Sequence, residues 1–243
     1  MNVQKPRNSI EFKLTGRYAL FSDPITRMGG EKCSYPIPTY EAIKGVVESI
    51  YWKPSIIWFV DAVRVMNKIQ TESKNIKTLK YTSGGSDLSH YTYLRDVEYR
   101  VLAHFEFNEN YPDLKMDRNE NKHHNMAKRS VVKGGRRDIF LGTRECQGYV
   151  EECRFEEGEG AYDNYVEFAF GTQFHGYDYP NETGRPELWK RFWRAVMVNG
   201  VIRYPLPSKI EDSMREFVRP MEMKKFIDKK NFSVLSDEDV ALA

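Results

Sequence analysis

From Glu98 to Phe107 the chain alternates without a break. Tyr99, Val101, Ala103, Phe105 and Phe107 fall on one side, and Arg100, His104 and Glu106 on the other. A period of two over that length is a β-strand with one apolar face, and it commits the chain to a sheet. A second signal is equally local: Ala195–Val198, then Asn199-Gly200, then Val201–Tyr204 is the pattern of a two-residue β-hairpin. Glu11–Leu14, Ser55–Val65, Gln147–Phe155 and Tyr165–Phe170 read as further strands. Ahead of the second of these, a loop runs through Asp23-Pro24, Gly29-Gly30, Pro36 and Pro38. Thr39 then caps a helix in which Ile43, Val46, Val47 and Ile50 recur at helical spacing, and Pro54 closes it. A shorter helix is expected around Asn125–Val132, ending at Gly134-Gly135.

The order strand, helix, strand, strand, helix, strand is that of ferredoxin-like folds, which many RNA-binding domains share. An acidic stretch from Glu151 to Asp163 follows and suggests a boundary. The expected class is therefore α+β: a modified ferredoxin-like (RRM-like) domain over residues 1–155, then a small antiparallel β-sheet domain over residues 156–243. Lys68–Asp96, with Gly84-Gly85, has no clear period and reads as a projecting hairpin or a mobile loop. Pro205–Ala243 is charged and weakly patterned.

With 243 residues and 40% hydrophobic content, of which aromatics are 14% of the chain, a folded globule with a real core is expected. No apolar run approaches the roughly 20 residues of a membrane span. Met1–Ser9 lacks the apolar core of a signal peptide. Three cysteines without CxxC spacing suggest a reduced, cytoplasmic protein with no structural disulfide or zinc. No metal and no cofactor are expected.

Charge is where function first becomes legible. The chain is nearly neutral, 37 basic against 35 acidic residues, yet no acidic side chain lies between Asn121 and Arg137. That window holds Lys122, Lys128, Arg129, Lys133, Arg136 and Arg137, with His123 and His124 adjacent. A basic strip attracts phosphates, and histidine suits proton transfer near neutral pH. Together they suggest a protein that holds a polyanion and cuts it. RNA carries its own nucleophile, the 2′-hydroxyl. A base, an acid and a cation on the phosphate then suffice, chemistries that histidine and lysine side chains supply. Gly134-Gly135-Arg136-Arg137 reads as a turn offering two guanidiniums and exposed backbone N–H groups to phosphate.

Plainer readings stand beside these. Tyr51-Trp52 at a helix end is an ordinary core pair, and Lys122-His123-His124 alone is an ordinary solvated run. His104, on a strand's polar face, His90, in a loop, and His175 read as structural or contact residues. The hairpin cations and rings, among them Lys74, Tyr81, Tyr91 and Tyr93, could track single-stranded RNA or form a plain insertion. Gly29-Gly30-Glu31-Lys32 is a weaker signal of the same kind. The sequence by itself does not choose between His123 and His124.

Long motifs add a resemblance. GRYALFSDPITRMGGEKCSYPIPTYEAIKGVVESIYWKPSI (Gly16–Ile56), SHYTYLRDVEYRVLAHFEFN (Ser89–Asn108) and GGRRDIFLGTRECQGYVE (Gly134–Glu151) resemble the CRISPR-associated Cas-five family, subtype I-C. DRNENKHH (Asp117–His124) and FHGYDYPNETG (Phe174–Gly184) extend the match over roughly residues 10 to 205. The resemblance implies a metal-independent endoribonuclease that cuts the CRISPR repeat transcript into guide RNAs. It implies retention of the 5′ handle within the type I-C interference complex, beside its backbone and large subunits. It also implies a catalytic trio of Tyr51, Lys122 and His123. RNA contacts are expected from His124, Lys128, Arg129, Lys133, Gly134, Gly135, Arg136 and Arg137. With an unperturbed pKa near ~10, Tyr51 is expected to position the phosphate while His123 carries the proton. The alternatives are a non-catalytic subunit capping the 5′ handle and, more weakly, nonspecific double-stranded DNA binding.

Overall fold

The structure, a computed structural model, describes residues 8–27, 31–80 and 84–227. Gly29-Gly30, Tyr81, most of Met1–Ser9 and the end of the C-terminal tail lie outside the described residues. The first half contains β1 (Ser9–Ala19), α1 (Pro24–Arg27), β2 (Lys32–Cys33), α2 (Tyr40–Ile50), β3 (Ile56–Val65), β4 (Thr71–Leu79) and β5 (Ser86–Phe107). Then come α3 (Glu120–Val132), β6 (Ile139–Phe140) and β7 (Gln147–Glu152). The remainder is β8 (Phe168–Asp178), α4 (Pro180–Thr183), β9 (Glu187–Val198), β10 (Val201–Arg203) and β11 (Arg215–Pro220). The class is α+β, dominated by one large, mainly antiparallel sheet with few helices.

Along the main path of that sheet the order is β11-β9-β10-β3-β5-β1-β7-β6. The alternating stretch Glu98–Phe107 is the C-terminal half of β5, and it lies between β3 and β1. Tyr99, Val101, Ala103 and Phe105 are buried, as their alternation requires. α2 covers this core with Ile43, Val46, Val47 and Ile50, each burial worth about 1.5–3 kcal/mol. Thr39 caps it as expected, its side chain accepting the Ala42 N–H at 3.2 Å. The second face of β5 is not simply solvated. Leu102 packs with Ala62 and Phe155, and His104 stacks on Phe59 at 5.3 Å while its Nδ1 meets Asp61 at 2.8 Å.

Asn199 and Gly200 turn β9 into β10 with φ of 48° and 75°, the left-handed geometry that Asn-Gly favours. β10 also pairs with β3, Val201 opposite Arg64, so the second ladder extends the first.

Several expectations need correction. Of the two expectations for Lys68–Asp96 the hairpin holds: β4 pairs with the start of β5 from Thr71 opposite Leu94 to Leu79 opposite Ser86. Its period was hidden because both strands are largely exposed, so polar residues serve on either face. Tyr165–Phe170 is strand only from Phe168. Pro205 onward is not patternless, since β11 pairs with β9. The second helix starts at Glu120, not near Asn125, because the Asn119 side chain accepts the Lys122 N–H at 3.1 Å. His123 therefore stands in the first turn of this helix.

Candidate active site

Tyr51 leaves α2 in an extended conformation, with φ −157° and ψ 127°. Its N–H donates to the Val47 carbonyl at 3.0 Å, and its own carbonyl accepts from Trp58 Nε1 at 2.7 Å. Held at both ends, its side chain turns inward and is fully buried. On α3 the buried residues are His123, Met126, Ala127, Ser130 and Val131. His123 thus opens the helix's inner stripe at the i, i+3, i+4 spacing of a packed face.

These two elements bring Tyr51 Oη to 2.8 Å from His123 Nδ1. The other ring nitrogen, Nε2, lies 2.6 Å from the Asp117 carbonyl oxygen. A carbonyl only accepts, so Nε2 carries the hydrogen and Nδ1 the lone pair; Tyr51 donates to it. A 3-10 turn, Pro112–Asp117, delivers Asp117, whose carboxylate accepts from Ser55 Oγ at 2.5 Å and sits 3.6 Å from His123 Nε2. Asp117 and Ser55 were not picked out in the sequence, although Asp117 heads the DRNENKHH motif.

Burial, reinforced by the Asp117 carboxylate, pushes the Tyr51 hydroxyl well above the ordinary tyrosine value, and Arg136 offsets this in part. Burial lowers the pKa of His123, with the charges of Lys53 and Lys122 adding to the effect, while Asp117 pulls it back up. The pair is therefore a neutral tyrosine donating to a neutral imidazole. Such an arrangement can relay a proton: as Oη takes one from outside, it passes its own to Nδ1.

Lys122 and His123 are neighbours on a helix and so point about 100° apart. His123 goes in, and Lys122 is half-buried on the outer side. His124 does not share the site, since its Nε2 meets the Ser9 carbonyl at 3.0 Å. Of the two histidines, His123 alone faces Tyr51.

The basic window reaches the pair through Arg136, whose guanidinium lies 5.7 Å from the Tyr51 ring centre. Lys133–Arg137 also line one wall of a groove of about 620 Å³, opposite Gln147–Glu151 of β7. Arg136, Arg137, Lys128 and Lys133 are exposed, and Arg129 is half-buried. The backbone N–H groups expected to meet phosphate are occupied. Gly134 donates to Val131 and Gly135 to Ser130, at 2.9 and 2.8 Å, the Schellman closure of a helix. Arg136 and Arg137 both donate to the Ser49 carbonyl, at 3.2 and 3.1 Å. The glycines end α3 and tie it to α2, with Gly134 at φ 80°.

His175 is as buried as His123. It stacks on Tyr40 at 4.2 Å, accepts from Arg191 Nε at 3.3 Å on Nδ1, and meets the Pro205 carbonyl at 3.1 Å through Nε2. At the surface near Tyr51, the C-terminal segment sets Phe226 between Trp52 and Tyr111, at 5.8 and 5.2 Å.

With this geometry in view, the comparisons are specific. Residues 9–205 match the Cas5d family model, described as "CRISPR-associated protein (Cas_Cas5)". The chain belongs to the CRISPR-associated Cas5 family. Two curated proteins named "CRISPR pre-crRNA endoribonuclease Cas5d" are similar to it. The protein from Mannheimia succiniciproducens is 27% identical over 236 residues, covering 82% of this chain and 95% of its own. The one from Thermus thermophilus is 28% identical over 217 residues, covering 85% and 88%. Among solved structures, one described as a CRISPR-associated protein matches with a TM-score of 0.70 at 36% identity, covering 84% of this chain and 95% of that one. A functionally uncharacterized protein from Streptococcus mutans, SMU1763c, matches with a TM-score of 0.70 at 37% identity, covering 86% and 98%. No helix among the described residues of this Cas5 protein is long and apolar enough to cross a membrane.

Proposed function

We propose that this Cas5 protein is a metal-independent endoribonuclease that cuts the CRISPR repeat transcript into guide RNAs and keeps the 5′ handle within the type I-C complex. The observation that carries the reading is the 2.8 Å contact between Tyr51 and His123, with Arg136 above the ring and the charge of Lys122, on the outer side of the same helix turn, acting on His123. The names of the two curated relatives support the same activity. Both His123 nitrogens are engaged, so His123 exchanges a proton with RNA through Tyr51. The 2′-hydroxyl gives its proton to Tyr51 Oη, which hands its own to His123 Nδ1. The 2′-oxygen attacks phosphorus and Lys122 stabilises charge on the non-bridging oxygens; the P–O5′ bond breaks as the 5′-oxygen takes a proton from water, and the hydroxide left recovers the proton held on His123 through Tyr51. The products are a 2′,3′-cyclic phosphate and a 5′-hydroxyl. Arg136, Arg137, Lys128, Arg129 and Lys133 hold the backbone electrostatically.

We also infer the modified ferredoxin-like arrangement for the first half. Its support is the antiparallel order β3-β5-β1-β7, with α2 between β1 and β3 and α3 between β5 and β7. On the same reading, the stretch from β7 to β8 separates units 1–155 and 156–243.

The purified protein, incubated with its own repeat RNA in chelator, is expected to yield a cyclic phosphate terminus. RNA with 2′-deoxyribose at the cut should bind and stay whole. Cutting of that deoxy substrate, or loss of activity to chelator, overturns the mechanism. One observation favours the rival, a handle-capping subunit without activity: Tyr51 and His123 are both fully buried. On the catalytic reading RNA must open a path past Arg136. A pure protein that binds the repeat and never cuts it establishes the rival. Salt-sensitive retention of duplex DNA of any sequence would add the weaker DNA-binding role.

A further inference from the structure

Phe107, the last residue of β5, has two neighbours of different kinds. One side of the ring meets His123 at 6.3 Å; the residue also lines a cleft of about 1110 Å³ between the end of β5 and the second half of the molecule. Phe59 and Trp189 are further ring walls of this cleft, and both are only part-buried. Among its described lining residues are five carboxylates, and four of them are already paired with internal cations. Glu109 pairs with Arg118 at 3.1 Å, Asp212 with Arg215 at 3.6 Å, Glu182 with Lys44, and Asp178 with both Arg191 and Arg215. The fifth, Glu106, lies 3.7 Å from His104. Arg185, at the rim, is exposed.

The cleft thus differs in kind from the basic groove beside Gly134–Arg137. It offers rings and more carboxylates than arginines among its lining residues, and so little attraction for a phosphate. Such a wall suits a planar, uncharged group that can both stack and hydrogen-bond, which describes an unstacked nucleobase. A volume at the upper end of ligand-pocket sizes leaves room for a whole nucleotide. Resting on the endoribonuclease reading, we propose that this cleft receives a single-stranded nucleotide of the RNA next to the phosphate presented to Tyr51 and Lys122. Phosphates follow the basic groove, a base enters the cleft, and Phe107 stands between that cleft and His123. Trp189 and Phe59 are the stacking residues, and Arg185 guards the entrance.

Binding, not cleavage, tests this. A series of repeat RNAs, each with one abasic position, is titrated against the full-length protein and its Trp189→Ala and Arg185→Glu variants. One or two abasic positions at the cut should weaken binding to the wild type about tenfold, as loss of a stacked base does. The same abasic RNA should cost the Trp189→Ala variant nothing further, and Trp189→Phe should restore the sensitivity. Arg185→Glu, an exposed substitution that leaves the core alone, should weaken intact RNA more than the abasic one. Equal losses for every position and variant overturn the proposal. So does a Trp189→Ala protein with normal RNA binding that fails to join the other purified subunits, which would make the cleft a protein-docking site. RNA that binds with the expected sensitivity but is never cut refutes only the catalytic reading.

Discussion

His123 and His175 are built alike and surrounded differently. Each is fully buried, each donates Nε2–H to a backbone carbonyl, and each accepts at Nδ1. The donor to His123 is a hydroxyl, which can give a proton and take another. The donor to His175 is the Arg191 guanidinium, which does not give its proton up. Burial lowers both pKa values, but Asp117 pulls His123 back while the Arg191 charge drives His175 further, to about 2. On the proposed endoribonuclease reading, burial alone therefore does not separate the catalytic histidine from the structural one. The partner at Nδ1 does.

The largest test of that contrast is His123→Ala. Repeat-RNA cleavage should fall about 10²–10⁴-fold, the usual share of a general acid–base group, with RNA affinity nearly unchanged. His175→Ala should do the reverse. Stability should drop by about 3 kcal/mol in urea unfolding, because Arg191 Nε and the Pro205 carbonyl lose a partner and a cavity opens. Its cleavage per folded molecule should stay normal, and a catalytic defect there would dissolve the distinction. Tyr51→Phe keeps the ring and removes the relay, so single-turnover cleavage should slow by about 10²-fold. A rate within twofold of wild type would return Tyr51 to a packing role.

The pH profile sharpens the comparison further. In the proposed mechanism His123 acts as the neutral base, and its pKa is lowered, so the acidic limb of the rate should lie below the ordinary value of about 6.5. Asp117→Asn removes a charge that raises this pKa and should move the limb lower still. A limb above 6.5 would contradict the burial. The smallest effect belongs to Gly134→Ala. An added Cβ meets only the Val150 carbonyl at 3.6 Å, so the cost is the left-handed backbone, about 1 kcal/mol in thermal or urea unfolding.

What the sequence made legible follows from how locally each feature is encoded. The alternation of Glu98–Phe107, the Asn199-Gly200 turn and the Thr39 cap are short-range patterns, and each reappears in the structure. The start of α3 escaped because Asn119–His124 is polar throughout, and its first inner residue is a histidine instead of an aliphatic. Counting His123 with Met126, Ala127 and Val131 recovers the stripe. The inward turn of Tyr51 depends on the extended backbone after Ile50, which helical spacing cannot foresee. Asp117 and Ser55 meet across 62 positions of sequence, a distance no local pattern spans. The Gly134-Gly135 N–H groups were offered to phosphate because a turn was visible, while their carbonyl partners lay inside the helix they end.

The pairing of β10 with β3 has a practical side. Cutting the gene after residue 155 would strip Ala62, Val63 and Arg64 of the neighbour that takes up their outer hydrogen bonds. The amino-terminal fragment would then carry a bare strand edge flanked by aliphatic side chains, the kind of surface that recruits copies of itself into aggregates. Insoluble half-molecules from such a dissection would reflect that missing seam, and would not by themselves mean that the first half lacks the information to fold.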